Sequence, residues 1–327
     1  MSQSTDDPLI PKIPVGDWFE TGFDWVKDTF DAVFDGLAAG LEFLTEGLTD
    51  LLLLPAPVLA VVVFALIGFV IRSWRFALLT VVGMGLVVGM EMWEHAMLTL
   101  AMALVATVVA VVIAIPVGIL AARSDAVSAV VRPVLDFMQT MPAFVYLVPA
   151  VTLFSIGVVP GVVSTIIFAL PPGVRLTELG IRQVDRETVE AGQAFGSSPG
   201  QILRGIQLPL AMPTIMAGVN QVIMLSLSMA VIAGLVGAGG LGGQVVTSIS
   251  RLNLGLGFEA GLAVVVLAIY LDRLTAAIGH PGASKGSLRD LLGSRRARAR
   301  SEAVEAAATS AGDEVAAGRK GAMGQAV

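Results

Sequence analysis

The chain has 327 residues, 55% of them hydrophobic and only 14% charged, with a mean hydropathy of +0.84 and a formal net charge of −6. This balance excludes an ordinary soluble domain, and the absence of cysteine excludes a disulfide framework, a thiolate metal site and a cysteine nucleophile. The charge is unevenly placed, with acids crowding the first fifty residues and a basic tail beginning near Lys285, so the two ends are expected to meet different surroundings.

Residues 1–50 begin acidic and lack the apolar core and small-residue cleavage site of a secretory leader, so they are expected to remain on the mature protein. From Asp17 onward, Phe19, Phe23, Val26, Phe30, Val33, Leu37, Leu41, Leu44 and Leu48 recur every three or four residues. Glu20, Asp24, Asp28, Asp31 and Asp35 take the opposite side. The pattern predicts one acidic amphipathic helix with a break near Gly36–Gly40. It lies along the membrane surface or packs on the protein's own outer face, and its acidic side argues against attraction to anionic lipid.

Apolar runs follow that are long enough to cross roughly 30 Å of hydrocarbon, which takes about 20 helical residues each. Seven are predicted, near 51–71, 76–92, 97–121, 138–157, 160–180, 211–235 and 258–278. The basic residues of the short connections alternate. Arg72 and Arg75 fall on one side, as do Arg123 and Arg132, then Arg175, Arg182, Arg186 and Arg204. By the positive-inside rule the connection at 184–213 is cytoplasmic, as is the C-terminus, and the N-terminus is outside. The predicted organisation is an outer helix at 1–50, a membrane domain at 51–280 and a low-complexity, Ala-rich basic tail at 281–327. The tail's cluster Arg295, Arg296, Arg298 and Arg300 is suited to anionic headgroups.

Pro116, Pro142, Pro149, Pro171 and Pro172 lie in or beside spans, where kinks are expected. Asn220, Gln221, Ser226 and Ser228 sit among apolar neighbours, where they hold helices together or meet a solute. Glu178, Asp272 and Arg175 fall near span ends, so no buried proton relay is expected. The glycine-dense connection from Gly237 to Gly257 reads as a flexible or tightly turned outer segment.

The connection at 184–213 is the polar island of the membrane part. Asp185 is placed to cap a first helix, Gly196 to end it, Ser198 with Gln201 to form a capping box and Pro199 to open a second helix that Leu208-Pro209 stops. The chain carries no phosphate-binding loop and no intramembrane carboxylate relay, so energy for transport would come from another protein.

This connection reads E-A-G-x-x-x-G-x9-I-x-L-P at Glu190, Ala191, Gly192, Gly196, Ile206, Leu208 and Pro209, and it resembles the E-A-A loop of permease subunits of bacterial ABC importers. The segments Gln139–Pro149, Phe168–Thr177, Met216–Gln221, Gly237–Gly242 and Gly255–Gly261 resemble the ProW-type permeases of glycine betaine/proline (quaternary ammonium) importers. The resemblance covers roughly residues 55–278. It implies an all-α polytopic fold of the type I, MetI-like permease class. It also implies a homodimer working with a cytosolic ABC ATPase dimer and an extracytoplasmic substrate-binding protein, and a role in uptake of compatible solutes such as glycine betaine, proline betaine, choline, carnitine or proline. Catalytic, cofactor and metal sites are not expected on this chain; ATP and magnesium belong to the partner ATPase. The partners are thus the second copy, the ATPase, the binding protein and the bilayer, and not nucleic acid.

Glu190, Ala191, Gly192 and Gly196 are implied to lie at or under the ATPase contact, with Ile206, Leu208 and Pro209 fixing how the loop returns to the membrane. Glycine stands at Gly192 where alanine is usual, at a helix-propensity cost of about 1 kcal/mol and with the benefit of close packing. Pathway candidates are Met141, Pro142, Tyr146, Asn220, Ser226 and Ser228. The nearest alternatives are an ABC permease for another small solute such as methionine, and a gradient-driven carrier.

Overall fold

A computed structural model describes residues 14–279, and all of its regular structure among those residues is helical. The basic cluster of the C-terminal tail lies outside the described residues. In chain order the helices are α1 (Val15–Thr29), α2 (Asp31–Leu53), α3 (Pro57–Ile71), α4 (Trp74–Gly89), α5 (Trp93–Arg123), α6 (Asp125–Thr140), α7 (Leu147–Phe154), α8 (Val158–Arg182), α9 (Arg186–Ala194), α10 (Pro199–Ile202), α11 (Leu208–Ile232), α12 (Gly240–Ser250) and α13 (Leu254–Gly279). Short 3₁₀ turns at Ala143–Tyr146 and Ala233–Val236 and a π-turn at Leu203–Gln207 join some of them. Local signals account for several starts: Pro57 opens α3, while the Ser73 and Ser124 hydroxyls accept from the backbone N–H groups of Phe76 and Val127 to cap α4 and α6.

Four continuous stretches are long and apolar enough to cross a bilayer: α5, α8, Pro199–Val236 and α13. Two bent pairs bring the number to six, α2 with α3 at 100° and α6 with Ala143–Phe154 at 108°. The seventh expected stretch corresponds to α4, which has 16 residues. The expected span at 138–157 is therefore two pieces meeting at Met141 and Pro142. Met141 is extended (φ −72°, ψ 135°), since a residue before proline is pushed out of the α region.

The amphipathic N-terminal stretch also differs from one helix broken near Gly36–Gly40. Its break falls at Phe30, and both glycines run inside α2. Leu41 and Thr45 of α2 are buried on the protein, with Leu48 packed against the same core, and this packing holds the helix through its glycines. Helix α1 buries no residue. It is tied down by the Lys27 ammonium, which donates to the Thr152 carbonyl at 3.1 Å.

The core is a three-helix packing of α5, α8 and α11 in which small residues set the approach. Ala96, Ala103, Ala106, Ala110 and Ala114 of α5 are fully buried. A Cβ on Gly118 would lie 2.6 Å from Thr177 Cβ, and one on Gly173 would lie 2.8 Å from Ala114 Cβ. These pairings make α5 and α8 parallel. Helix α11 runs the opposite way, with Gly180 beside Thr214 and Gly161 beside Ala233. Small faces of this kind let helix backbones close up in lipid, where association depends on dispersion rather than on expelling water.

The Gly237–Gly257 segment is not an open loop. It folds into α12, with Leu241 fully buried. Its glycines are the reason: a Cβ on Gly242 would lie 2.2 Å from the Val231 carbonyl oxygen, and Gly237, Gly239 and Gly240 all have positive φ. The Thr99 hydroxyl accepts from the Leu241 N–H at 2.8 Å, and the His95 and Gln244 side chains meet at 2.7 Å, so α12 is seated on the start of α5.

Candidate functional site

Helix α9 stands out from the membrane core as a short, capped rod. The Asp185 carboxylate accepts from Glu187 N–H at 3.3 Å. At the other end Gly196 adopts φ +78°, its N–H reaching the Gln193 carbonyl and the next N–H, of Ser197, reaching Gly192. The Ser198 N–H then donates to Gln201 Oε1 at 2.7 Å while Ser198 Oγ accepts from Gln201 N–H, completing the capping box expected from sequence.

The residues after this turn anchor it. Leu203 is buried with Ile181, Ala211 and Ile215, and Ile119, Ala122 and Leu208 pack around them. Gly192 is buried, and a Cβ there would lie 2.7 Å from Ile206 Cδ1, so the glycine lets α9 lie directly on Ile206. Glu190 and Ala191 remain exposed on the other side. Next to them, Phe195 is 90% exposed, an aromatic ring left uncovered among the described residues. Sequence reasoning passed over Phe195; the available signal was an aromatic residue between Ala194 and Gly196 within a polar island.

Leu208-Pro209 does not stop the second helix, in contrast to the sequence expectation. Pro199–Val236 is a continuous helical run. The π-turn at Leu203–Gln207 ends with the Leu208 N–H donating to the Leu203 carbonyl, and this wider pitch absorbs the proline that follows. α10 and α11 therefore form one continuous rod.

A charged seam lies just before the loop, between α6 and α8. Asp125, Ser128, Arg132 and Asp136 face Arg175, Glu178 and Arg182, at spacings of three and four residues on both helices. Glu178 lies near the C-terminal end of α8 and is 4% exposed. Its Oε1 accepts from Ser128 Oγ and Arg132 Nη2, each at 2.8 Å, and forms an ion pair with Arg182 Nε at 3.0 Å. Arg182 also reaches Asp125 Oδ1 at 2.8 Å, and Arg175 pairs with Asp136. Through Ser128 and Arg132 of α6, this buried carboxylate of α8 ties the two helices together.

The structure scatters the six pathway candidates. Tyr146 is buried, with its hydroxyl donating to the Met138 carbonyl; Met141 is half-buried and Pro142 exposed at the 108° bend. Asn220 faces α13, where its amide donates to Asp272 Oδ1 at 3.1 Å and its carbonyl accepts from the Thr275 hydroxyl. Ser226 is fully buried with no hydrogen-bond partner among the described residues, and Ser228 is exposed with its hydroxyl on the Met224 carbonyl. Asn220 thus follows the helix-joining alternative, and only Ser228 of the α11 candidates looks outward.

A bundle of apolar helices closely packed on small residues, with a capped, glycine-turned polar loop between two of them, is the architecture of a multi-span membrane protein. Residues 114–280 match the family described as binding-protein-dependent transport system inner membrane component, and the chain belongs to that family. It is 51% identical over 278 residues to the glycine betaine/proline betaine transport system permease protein ProW of Escherichia coli, covering 85% of this chain and 78% of that one. It is 46% identical to the glycine betaine transport system permease protein OpuAB of Bacillus subtilis, covering 85% and 99%. Among solved structures, the MetNI methionine ABC transporter in inward-facing form shares the fold, with a TM-score of 0.52 at 24% identity over 56% of this chain and 92% of that one. Like these relatives, the chain is a multi-helix inner membrane transport component.

Proposed function

We propose that the chain is the transmembrane subunit of an ATP-driven importer whose cargo is a compatible solute bearing a quaternary nitrogen, such as glycine betaine, proline betaine or carnitine. The observation that carries this reading is the 51% identity extending across 78% of a glycine betaine/proline betaine permease. Similarity to the methionine transporter is at the level of fold, so methionine is the weaker cargo.

In this reading two copies of the chain form the pathway, with the N-terminus outside and the C-terminus in the cytoplasm. A cytosolic ATPase dimer binds ATP and magnesium and receives α9. Glu190, Ala191 and the exposed Phe195 make the contact, while Gly192, Ile206, Leu208 and Pro209 fix the loop against the membrane core and Gly196 turns the chain. Closure of the ATPases moves α9; the π-turn and α11 on one side, and α8 with its seam to α6 on the other, carry that displacement into the bundle as a rigid-body shift. An extracytoplasmic binding protein delivers the solute to the outer face.

Reconstitution in proteoliposomes with the cognate ATPase and binding protein tests the reading. Radiolabelled glycine betaine is expected to enter only with ATP, and to be outcompeted by other quaternary ammonium solutes but not by methionine. ATP-independent uptake, or uptake of methionine alone, overturns it. Phe195→Ala is expected to leave the purified chain as stable as before and to cut ATPase association about tenfold or more, as for an aromatic anchor at an interface. Glu190→Lys is expected to abolish uptake with the chain still inserted.

A further inference from the structure

The outward faces of the membrane helices are not alike. Those of α4, at Leu78, Leu79, Val82 and Leu86, and of α5, at Val108, Val112 and Ile113, are uniformly apolar, as hydrocarbon requires. On α11 the exposed residues at membrane depth are Ala217, Gln221, Met224 and Ser228, at i, i+4, i+7 and i+11, which is one side of the helix. This side lies between the face that joins α13 through Asn220 and the face that joins α8 through Gly218.

Gln221 is the decisive residue. It stands near the middle of α11, about 20 Å along the axis from Leu208 at 1.5 Å per residue, and its amide makes no hydrogen bond among the described residues. The neighbouring amide, of Asn220, has both of its ends satisfied. An amide held out into lipid at that depth would forfeit every hydrogen bond it makes in water, a penalty that the outward faces of α4 and α5 named above avoid. The side of α11 bearing it is therefore turned away from lipid.

We infer that Ala217, Gln221, Met224 and Ser228 line a water-filled solute pathway between two copies of the chain, and that Gln221 is a cargo-contacting residue. This rests on the permease reading above. Its chemistry fits a zwitterion with a permanent cation: the amide carbonyl dipole faces a quaternary ammonium, which offers no N–H to satisfy, and the amide N–H groups face a carboxylate. Small and polarizable neighbours leave room and offer no fixed charge to trap the solute.

Because the chain has no cysteine, single cysteines report this directly. In the reconstituted transporter, Gln221→Cys and Ser228→Cys are treated with a trimethylammonium-bearing methanethiosulfonate reagent, at rest and during ATP turnover. Val112→Cys on the apolar face of α5 and Leu252→Cys in the outer turn serve as the unreactive and reactive references, and modification of the permease chain is read by mass. Both α11 cysteines are expected to react at least about tenfold faster than the α5 one, since a thiol must ionise in water to attack. Saturating glycine betaine is expected to slow modification at position 221. Gln221→Leu is expected to insert normally and raise the uptake KM or lower its maximal rate tenfold, with Gln221→Asn recovering part of the loss.

Unreactive α11 cysteines in both states overturn the proposal. So does a spontaneous disulfide between two copies at position 221 without reagent access, which would make the stripe a packed dimer contact. Labelling requires no identified cargo. Reactive α11 cysteines in a transporter that carries methionine would therefore refute the quaternary ammonium reading and leave the pathway standing.

Discussion

Glycines serve opposite ends in the membrane core and in the loop that α9 forms. Gly118 and Gly173 have ordinary helical backbones and no room, with the nearest atoms 2.6 and 2.8 Å from where a Cβ would stand. Gly196 has nothing within 4 Å of that point, yet its φ is +78°. In the core, glycine is required by neighbouring helices; in the loop, it is required by the chain's own direction. The first kind of site is sensitive to volume, and the second only to backbone conformation.

The largest effect should come from Gly118→Val. The added methyl groups would meet the Val174 carbonyl oxygen as well as Thr177, and backbone cannot step aside, so a loss of about 3 kcal/mol or more is expected. The measurement is the thermal midpoint and yield of detergent-extracted protein; a wild-type midpoint would mean that the α5–α8 approach is looser than described. Glu178→Gln follows, at about 1–3 kcal/mol, because Arg132 and Arg182 lose their shared anion although both are partly solvated. It should also lower uptake per ATP hydrolysed, as the seam no longer ties α6 to α8, whereas unchanged coupling would confine the seam to stability.

Gly196→Ala should cost about 1–2 kcal/mol locally, for a non-glycine residue held in the left-handed region. The expected signature is wild-type membrane insertion with reduced uptake, the reverse balance from Gly118→Val. Smallest of all is Gly192→Ala, expected within about 1 kcal/mol of wild type. The new methyl meets the flexible end of Ile206, and alanine returns about 1 kcal/mol of helix propensity. A large loss there would show that Ile206 has no freedom to move.

Much of the loop was legible because its signals are local. Asp185, Ser198 with Gln201, Pro199 and Gly196 each act within one turn of the chain, and each does what its side chain and spacing predict. Most of the apolar stretches were readable for a related reason, since hydrocarbon imposes composition on any segment inside it, although the structure gives four to six spans among the described residues where seven were expected. Other features depended on partners distant in sequence. That Glu178, near the end of its span, is buried was not legible, because Ser128 and Arg132, which close over it, stand some fifty residues earlier. Asn220, Gln221, Ser226 and Ser228 were alike as polar residues in an apolar run, and only the placement of α8 and α13 told the satisfied, the buried and the outward ones apart.

The sequence by itself determined that this chain lives in a membrane as helices, where its polar loop begins, turns and is capped, and which family it resembles, because composition, capping and spacing operate over a few residues. Tertiary structure alone decided that α8 is tied to α6 through a buried carboxylate and that the glycine-rich segment after α11 is a seated helix. It also decided that the loop continues through a π-turn into α11, and that one side of α11 carries an unpartnered glutamine. These follow from which helices come to lie side by side, and a side chain's role in a bilayer is set by whether protein, lipid or water stands opposite it.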